Sequence, residues 1–453
     1  MAATGWVPEV ALTLDPEVRA AASDPRELER LYRAALRDGR ADAFQSALLA
    51  CYEESPDSAL YAAWFYRLQP GADDAIIAEV KPRRGVNWVA AVPLSVLTGL
   101  IFWALSDVER LVVLQGIPQL LLWWSPIATM SALIFLVLTS RRAVGRALAL
   151  GLGVMAVAAY VVLLTPTLDP GWKAEQTIVL AAIHLPLLCW FALGISILGL
   201  RSGTDDRFAF LVKSIEVLIA AGLYLAAGIA FGAITVGMFA ALGIELPEIW
   251  LRLIAAGGFG LLPVLALATV YDPRMPPAEQ DFDQGLSRFV ATMMRLLLPL
   301  TLGVLVIYVF VIPLNFLAPY ENRDVLIVYN LMLFAILGLL LGATPLRREG
   351  LAPVLQTWLR RAILAVAILV ELVSLYALSA TVFRTVQGGL TINRLTIIGW
   401  NSINIGILVW LIFRQFRDGR ERWATSLQSV FSLATNAYLV WVVFLLIVAP
   451  LVF

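Results

Sequence analysis

The sequence predicts an all-α protein: a polytopic transmembrane helix bundle of about 11 spans, behind a small cytoplasmic helical domain. Three observations carry that expectation. The 453 residues are 60% apolar and only 15% charged, against roughly 45–50% and about 25% for a soluble globular chain. From Trp88 onward, apolar runs long enough to cross a bilayer alternate with short charged loops. The Lys/Arg residues gather in every second loop. This composition excludes a disordered chain, a nucleic-acid binder and an ordinary soluble enzyme. Lys+Arg and Asp+Glu are equal at 33 each, so no global charge draws the chain to a polyanion.

The first elements belong to an acidic segment, residues 1–82, made of a helical domain and its linker. Asp24-Pro25 and Ser55-Pro56-Asp57 each put a capping side chain before a proline suited to the first turn. Gly39 sits where a helix stops. Helices are predicted at 25–38, 41–53 and 57–68. Leu28, Leu31, Tyr32, Ala35, Phe44, Leu48, Leu49, Tyr61, Trp64 and Phe65 recur at helical spacing and form the expected core. Residues 69–82 read as a linker. No basic n-region opens the chain, so the first crossing helix is expected to be an uncleaved start-transfer segment.

The membrane part, 83–453, is predicted to cross at 88–106, 119–139, 147–165, 177–200, 211–234, 251–271, 294–312, 325–344, 362–381, 395–413 and 430–453. Two stretches are open. Residues 111–120 hold Pro118 and suit an interfacial or re-entrant turn, and residues 235–250 stay apolar and suit the interface. Gln115, Gln119, Trp123 and Trp124 read as interface anchors. With the N-terminus inside, the inner loops and span ends carry 20 of the 33 Lys/Arg and the outer ones 6. That alternation predicts a cell (plasma) membrane protein, N-inside and C-outside. Gly228 and Gly232, and the cluster Gly257, Gly258 and Gly260, predict close helix contacts.

Three stretches resemble a known family. They are Gly222-Leu223-Tyr224 through Phe239-Ala240-Ala241-Leu242-Gly243-Ile244; Arg295-Leu296-Leu297-Leu298-Pro299-Leu300 through Tyr308 and Asn315-Phe316-Leu317-Ala318-Pro319; and Arg384 followed by Gly389-Leu390-Thr391-Ile392-Asn393-Arg394. In this order they resemble the uncharacterised bacterial inner-membrane family catalogued as domain of unknown function 4153, over about residues 213–453. Thr385 and Gly388 stand where that family usually has Ile and Tyr. The resemblance implies a multi-pass membrane fold and brings no activity with it.

Candidate functional residues are few. Glu371 falls near the middle of the ninth predicted span, where a carboxylate is costly and faces a bundle interior or cavity. It reads as a proton- or cation-coupling acid, or as a hydrogen-bonded acid fastening two helices. Asn401 and Asn404, spaced i, i+3 on the next span, share a face. Thr391 and Asn393 can cap that span, and Arg384 with Arg394 forms a basic pair suited to an anion or a lipid head group. Lys213 and Glu216 suit a local ion pair that snorkels to the interface. His184 reads as structural, hydrogen-bonded to a carbonyl freed by Pro186. Cys51 and Cys189 read as free thiols. One histidine and two cysteines make a metal site unexpected, and no cofactor is implied. No nucleophile–base set is present, and the glycines lie inside apolar helices rather than in nucleotide loops.

The expectation is therefore a non-enzymatic membrane component (scaffold, sensor or complex subunit). It contacts the lipid bilayer, docks a protein partner through its N-terminal helices and binds no nucleic acid. The alternative is a secondary transporter or channel-like protein using the intramembrane carboxylate. A lipid-handling enzyme at the arginine pair ranks last.

Overall fold

Asp24 shows how closely local chemistry sets the first elements. Its carboxylate accepts from the amides of Arg26 at 2.9 Å and Glu27 at 3.3 Å, satisfying donors that the start of a helix leaves free. The computed structural model describes residues 15–21, 24–38, 41–55, 58–68, 85–114, 117–168, 172–282, 285–347 and 351–453. The chain divides into two units, Met1–Gly85 and Val86–Phe453. Gly39, Pro56, Asp57, Gln115 and the 69–82 linker lie outside the described residues.

The first unit contains α1 (Asp15–Ala20), α2 (Pro25–Arg37), α3 (Ala41–Glu54) and α4 (Ala59–Leu68). Helix α1 escaped the sequence reading; its six residues are too few to show a period. Leu28, Ala35, Phe44, Leu48, Tyr61 and Trp64 are buried together as expected. Tyr32, Phe44 and Trp64 meet edge to face or tilted, with centroids 5.5–6.0 Å apart. Each fully buried large side chain contributes roughly 1.5–3 kcal/mol. Leu49 is exposed, against expectation. The Tyr61 hydroxyl donates to the carbonyl of Val18, tying α1 to α4.

Among its described residues, the second unit has 11 helices long and apolar enough to cross a membrane. They are α5 (Trp88–Leu105), α6 (Leu120–Ser140), α7 (Val144–Leu164), α8 (Trp172–Leu198), α9 (Thr204–Ala241), α10 (Glu248–Val270) and α11 (Gly285–Val311). After the short α12 (Ala318–Glu321) come α13 (Arg323–Ala343), α14 (Pro353–Gly388), α15 (Ile392–Arg417) and α16 (Trp423–Val452). Each predicted span falls on one of them. Several outrun the bilayer: α9 has 38 residues and α14 has 36. Residues 235–241, expected at the interface, continue α9, and a turn leads directly into α10. The stretch before α6 forms a small antiparallel hairpin, Val112–Leu114 with Ile117–Pro118. Trp124 packs on Phe259 at 5.7 Å and Trp123 joins an apolar cluster.

Small residues set the tightest contact. A Cβ on Gly260 would lie 2.7 Å from Gly99 Cα, and one on Gly99 would lie 2.7 Å from the Gly257 carbonyl oxygen. Helices α5 and α10 therefore touch backbone to backbone, as the glycine cluster predicted. Gly232 lies against Ile254 of α10, whereas Gly228 has open space. At one end of this pair, Arg252 donates to Trp103 O, Ser106 Oγ and Asp107 Oδ2 at 3.0–3.1 Å. The amides of Arg110 and Glu109, and after them Arg252, hold the Asp107 carboxyl below the usual carboxylate range. That contribution is present at neutral pH and is lost on acidification.

Helices α10 and α16 each contain one wide π turn, Leu253–Gly257 and Phe444–Val448. Pro450 has no N–H to offer the preceding turn, and the Tyr160 hydroxyl donates to Ile447 O at 3.1 Å there. The largest apolar cluster joins α9, α11 and α13 to α16, with Leu340, Leu359, Val366, Leu408 and Leu411 at its centre.

Candidate functional site

Helices α14 and α15 form an antiparallel pair joined by the short turn at 389–391. At the far end of the pair, Arg360 donates to the Gln415 carbonyl at 2.8 Å. Arg360 therefore faces α15. Glu371 follows eleven residues later, three helical turns, which returns it to the same face. Asn404 precedes Gln415 by the same eleven residues. Glu371 and Asn404 thus stand within about one turn of the same depth on neighbouring helices. One turn on, Ser374 and Asn401 repeat the arrangement. Ala367, Leu408 and Leu411, all buried, flank these polar residues along the two helices.

The burial of these groups is nearly complete. Glu371 is 7% exposed, Asn401 1% and Asn404 0%. Both carboxyl oxygens of Glu371, both polar atoms of the Asn401 amide and Nδ2 of Asn404 are buried without a hydrogen-bond partner among the described residues. Buried polar side-chain atoms are normally paired. Five unpaired atoms on three buried residues of α14 and α15 therefore mark an unusual polar site.

A satisfied network lies on the other side of Asn404. The Tyr438 hydroxyl of α16 donates to Asn404 Oδ1 at 2.6 Å. Its ring sits 5.3 Å from that of Trp400, one turn from Asn404. Trp400 Nε1 donates to His184 Nε2 at 3.0 Å, and His184 Nδ1 donates to Leu180 O at 2.7 Å. Both imidazole nitrogens are occupied, which fixes a neutral tautomer. The structural reading of His184 holds, with one correction. Pro186 frees the carbonyl of Ala182, yet the ring uses that of Leu180. Trp400 and Tyr438 gave no signal in the sequence, because an aromatic in an apolar helix looks like ordinary core.

The turn at 389–391 is built differently from the expected anion site. Thr391 caps α15 through its hydroxyl and the Arg394 amide; Asn393 makes no such cap. Arg394 Nη1 donates to Gly389 O at 2.5 Å. Arg384 donates to Glu321 O at 3.0 Å and Tyr320 O at 3.4 Å. Each arginine secures its own backbone segment, and these bonds do not bring the two together.

Lys213 and Glu216 are 4% and 1% exposed. They do not snorkel. Lys213 Nζ reaches Glu216 Oε2 at 2.8 Å, Ser287 Oγ at 2.9 Å and Asp281 O at 2.6 Å. Ser287 also donates to Glu216 Oε2 at 2.6 Å, and the Phe282 ring lies 4.5 Å from the ammonium. This knot ties α9 to the start of α11. Cys51 and Cys189 are both buried, and Cys189 is a free thiol. Among the described residues, no three His, Cys, Asp or Glu side chains are placed to share a metal ion.

The architecture defines a multi-pass integral membrane protein. No family model, curated protein or solved structure matches the chain.

Proposed function

We propose that the membrane unit binds and exchanges one proton or small cation at Glu371, and so belongs with cation-coupled transporters or channel-like proteins. The carrying observation is the unpartnered, buried carboxyl of Glu371, with unpartnered amide atoms on two buried asparagines of the neighbouring helix. A purely structural acid would fasten two helices through a hydrogen bond; Glu371 makes none. In proteoliposomes with imposed H⁺, Na⁺ or K⁺ gradients, the wild type is expected to dissipate at least one gradient. Glu371→Gln is expected to slow that flux tenfold or more while eluting as a folded protein. Flux equal in the two proteins would sink this reading.

The first unit supports a second role. Its own aromatic core marks it as a separate packing unit, suited to docking a protein partner, so that the chain also serves as a subunit of a complex. Native mass spectrometry of the gently extracted full chain is expected to show a partner that is lost on deletion of residues 1–80. A partner retained by the truncated chain would place docking elsewhere. In this proposal the chain makes and breaks no covalent bonds. It lies in the cell membrane with its N-terminus in the cytoplasm, as the arginine distribution favours. Residues 213–453 are proposed as a divergent member of the uncharacterised family they resemble.

A further inference from the structure

We infer that the occupant of the Glu371 site is a proton and not a metal cation; this rests on the coupling reading above and names its ligand. Asn404 Oδ1 is engaged by Tyr438, so the part of the amide left unpaired is the Nδ2 donor. A donor suits a carboxyl oxygen and repels a cation.

The supply of oxygens is also short. At this depth α14 and α15 offer the two Glu371 oxygens, Asn401 Oδ1 and Ser374 Oγ, which already donates to Val370 O at 2.6 Å. Calcium and magnesium take six or more oxygens. Cation sites in transporters complete their shells with carbonyls of unwound helices. Helices α14 and α15 run unbroken past this level, and the wide turns of the bundle lie in α10 and α16.

Neither α14 nor α15 carries an Asp or Glu besides Glu371. Helix α15 has no titratable side chain between Arg394 and Arg414. Helix α11 brings Arg288 and Arg295 from one end and Tyr308 near the other. Helix α13 brings Tyr329 below Arg323 and Asp324 in its first turn, and α12 brings Tyr320 and Glu321. On α14 itself stand Arg360, Arg361, Tyr376 and Arg384; beyond α15 stand Tyr438 and the fully bonded His184. A divalent ion would keep an uncompensated charge among these groups. A proton leaves the site neutral and needs no further ligand.

Infrared spectroscopy of the full chain in lipid tests this directly. At about pH 6 the exposed carboxyls are ionised, and the wild type is expected to retain a carboxylic-acid carbonyl band that is missing in Glu371→Gln. Added Na⁺, K⁺ or Ca²⁺ is expected to leave the band in place. A band absent from the wild type, or removed by one of these cations, overturns the inference. Should Glu371→Gln fail to fold, Glu371→Asp keeps the acid, and a shifted band frequency makes the same assignment. The two proposals fail separately. A band displaced by Na⁺, with flux still dependent on Glu371, keeps the coupling and removes the proton. A persistent band with flux indifferent to Glu371 keeps the protonated acid and removes the coupling.

Discussion

Lys213→Met is expected to destabilise the membrane unit by about 3–5 kcal/mol, the cost of leaving one partner of a buried ion pair alone. The variant removes three donated bonds at once: to Glu216, to Ser287 and to the Asp281 carbonyl. Glu216 then keeps a single donor, the Ser287 hydroxyl. Its charge has no route to water, because the side chain is almost fully covered. The double variant Lys213→Met/Glu216→Leu removes both charges and is expected to recover most of the loss, since buried ion pairs replaced by apolar groups are often close to neutral. Ser287→Ala takes one bond from each partner and is expected to cost about 1 kcal/mol. Thermal unfolding followed by tryptophan fluorescence orders the three: single lysine variant lowest, double variant near Ser287→Ala, wild type highest. A double variant as unstable as the single would show that the pair acts through its charge on distant groups, not through local pairing.

This knot also shows where the sequence stops being informative. The spacing of Lys213 and Glu216 announces an ion pair on one helix face, and the pair forms. Its burial depends on Ser287 and Asp281, about seventy residues away, which nothing in a local window connects to it. Depth and length behave similarly. Hydropathy located all the spans because it reports where lipid could contact the chain, yet it stopped short of the ends of α9 and α14. Charged residues such as Asp205, Asp206 and Arg207 on α9, and Arg360, Arg361 and Arg384 on α14, do not break a helix, and α9 also runs on through the apolar residues 235–241. Capping chemistry was legible at Asp24 and Thr391, where one side chain acts on amides two or three residues away. The glycine cluster at 257–260 was legible because small residues in an apolar helix have few other uses.

The Glu371 site was legible in part, and the missing part is register. Glu371, Asn401 and Asn404 stand out singly as polar residues in apolar spans. That Glu371 lies near the depth of Asn404, and Ser374 near that of Asn401, follows only when the short turn at 389–391 and the Arg360–Gln415 bond fix how α14 lies along α15. The donor orientation of Asn404 depends further on Tyr438, from a third helix. A resemblance of motifs picks out the turn and its arginines because they are contiguous. The polar residues inside the bundle, which carry the proposed function, have no contiguous signature.

Gly260→Val is expected to have an effect comparable to that of Lys213→Met, for the opposite physical reason: added volume. A Cβ at 260 would meet Gly99 Cα at 2.7 Å, Thr98 O at 2.9 Å and Gly99 N at 3.0 Å. All three are backbone atoms, which no rotamer change can move aside. Helices α5 and α10 must separate, and the bonds that depend on their approach go with them. Those include the Arg252 clasp on Trp103, Ser106 and Asp107, and the Trp103 Nε1 bond to Ile249 O. Overpacking costs typically about 1–3 kcal/mol and more where the backbone itself must shift. Gly258→Val is the internal control, because a Cβ there meets nothing within 4 Å. Two residues apart on one helix, the same substitution is expected to be nearly silent at 258 and to lower folded yield and thermal midpoint sharply at 260. In membranes, where burying apolar surface gives helices little reason to associate, contact depends on such close backbone approach. Equal behaviour of the two variants in a detergent-stability assay would mean that α5 and α10 do not meet along Gly99 and Gly260.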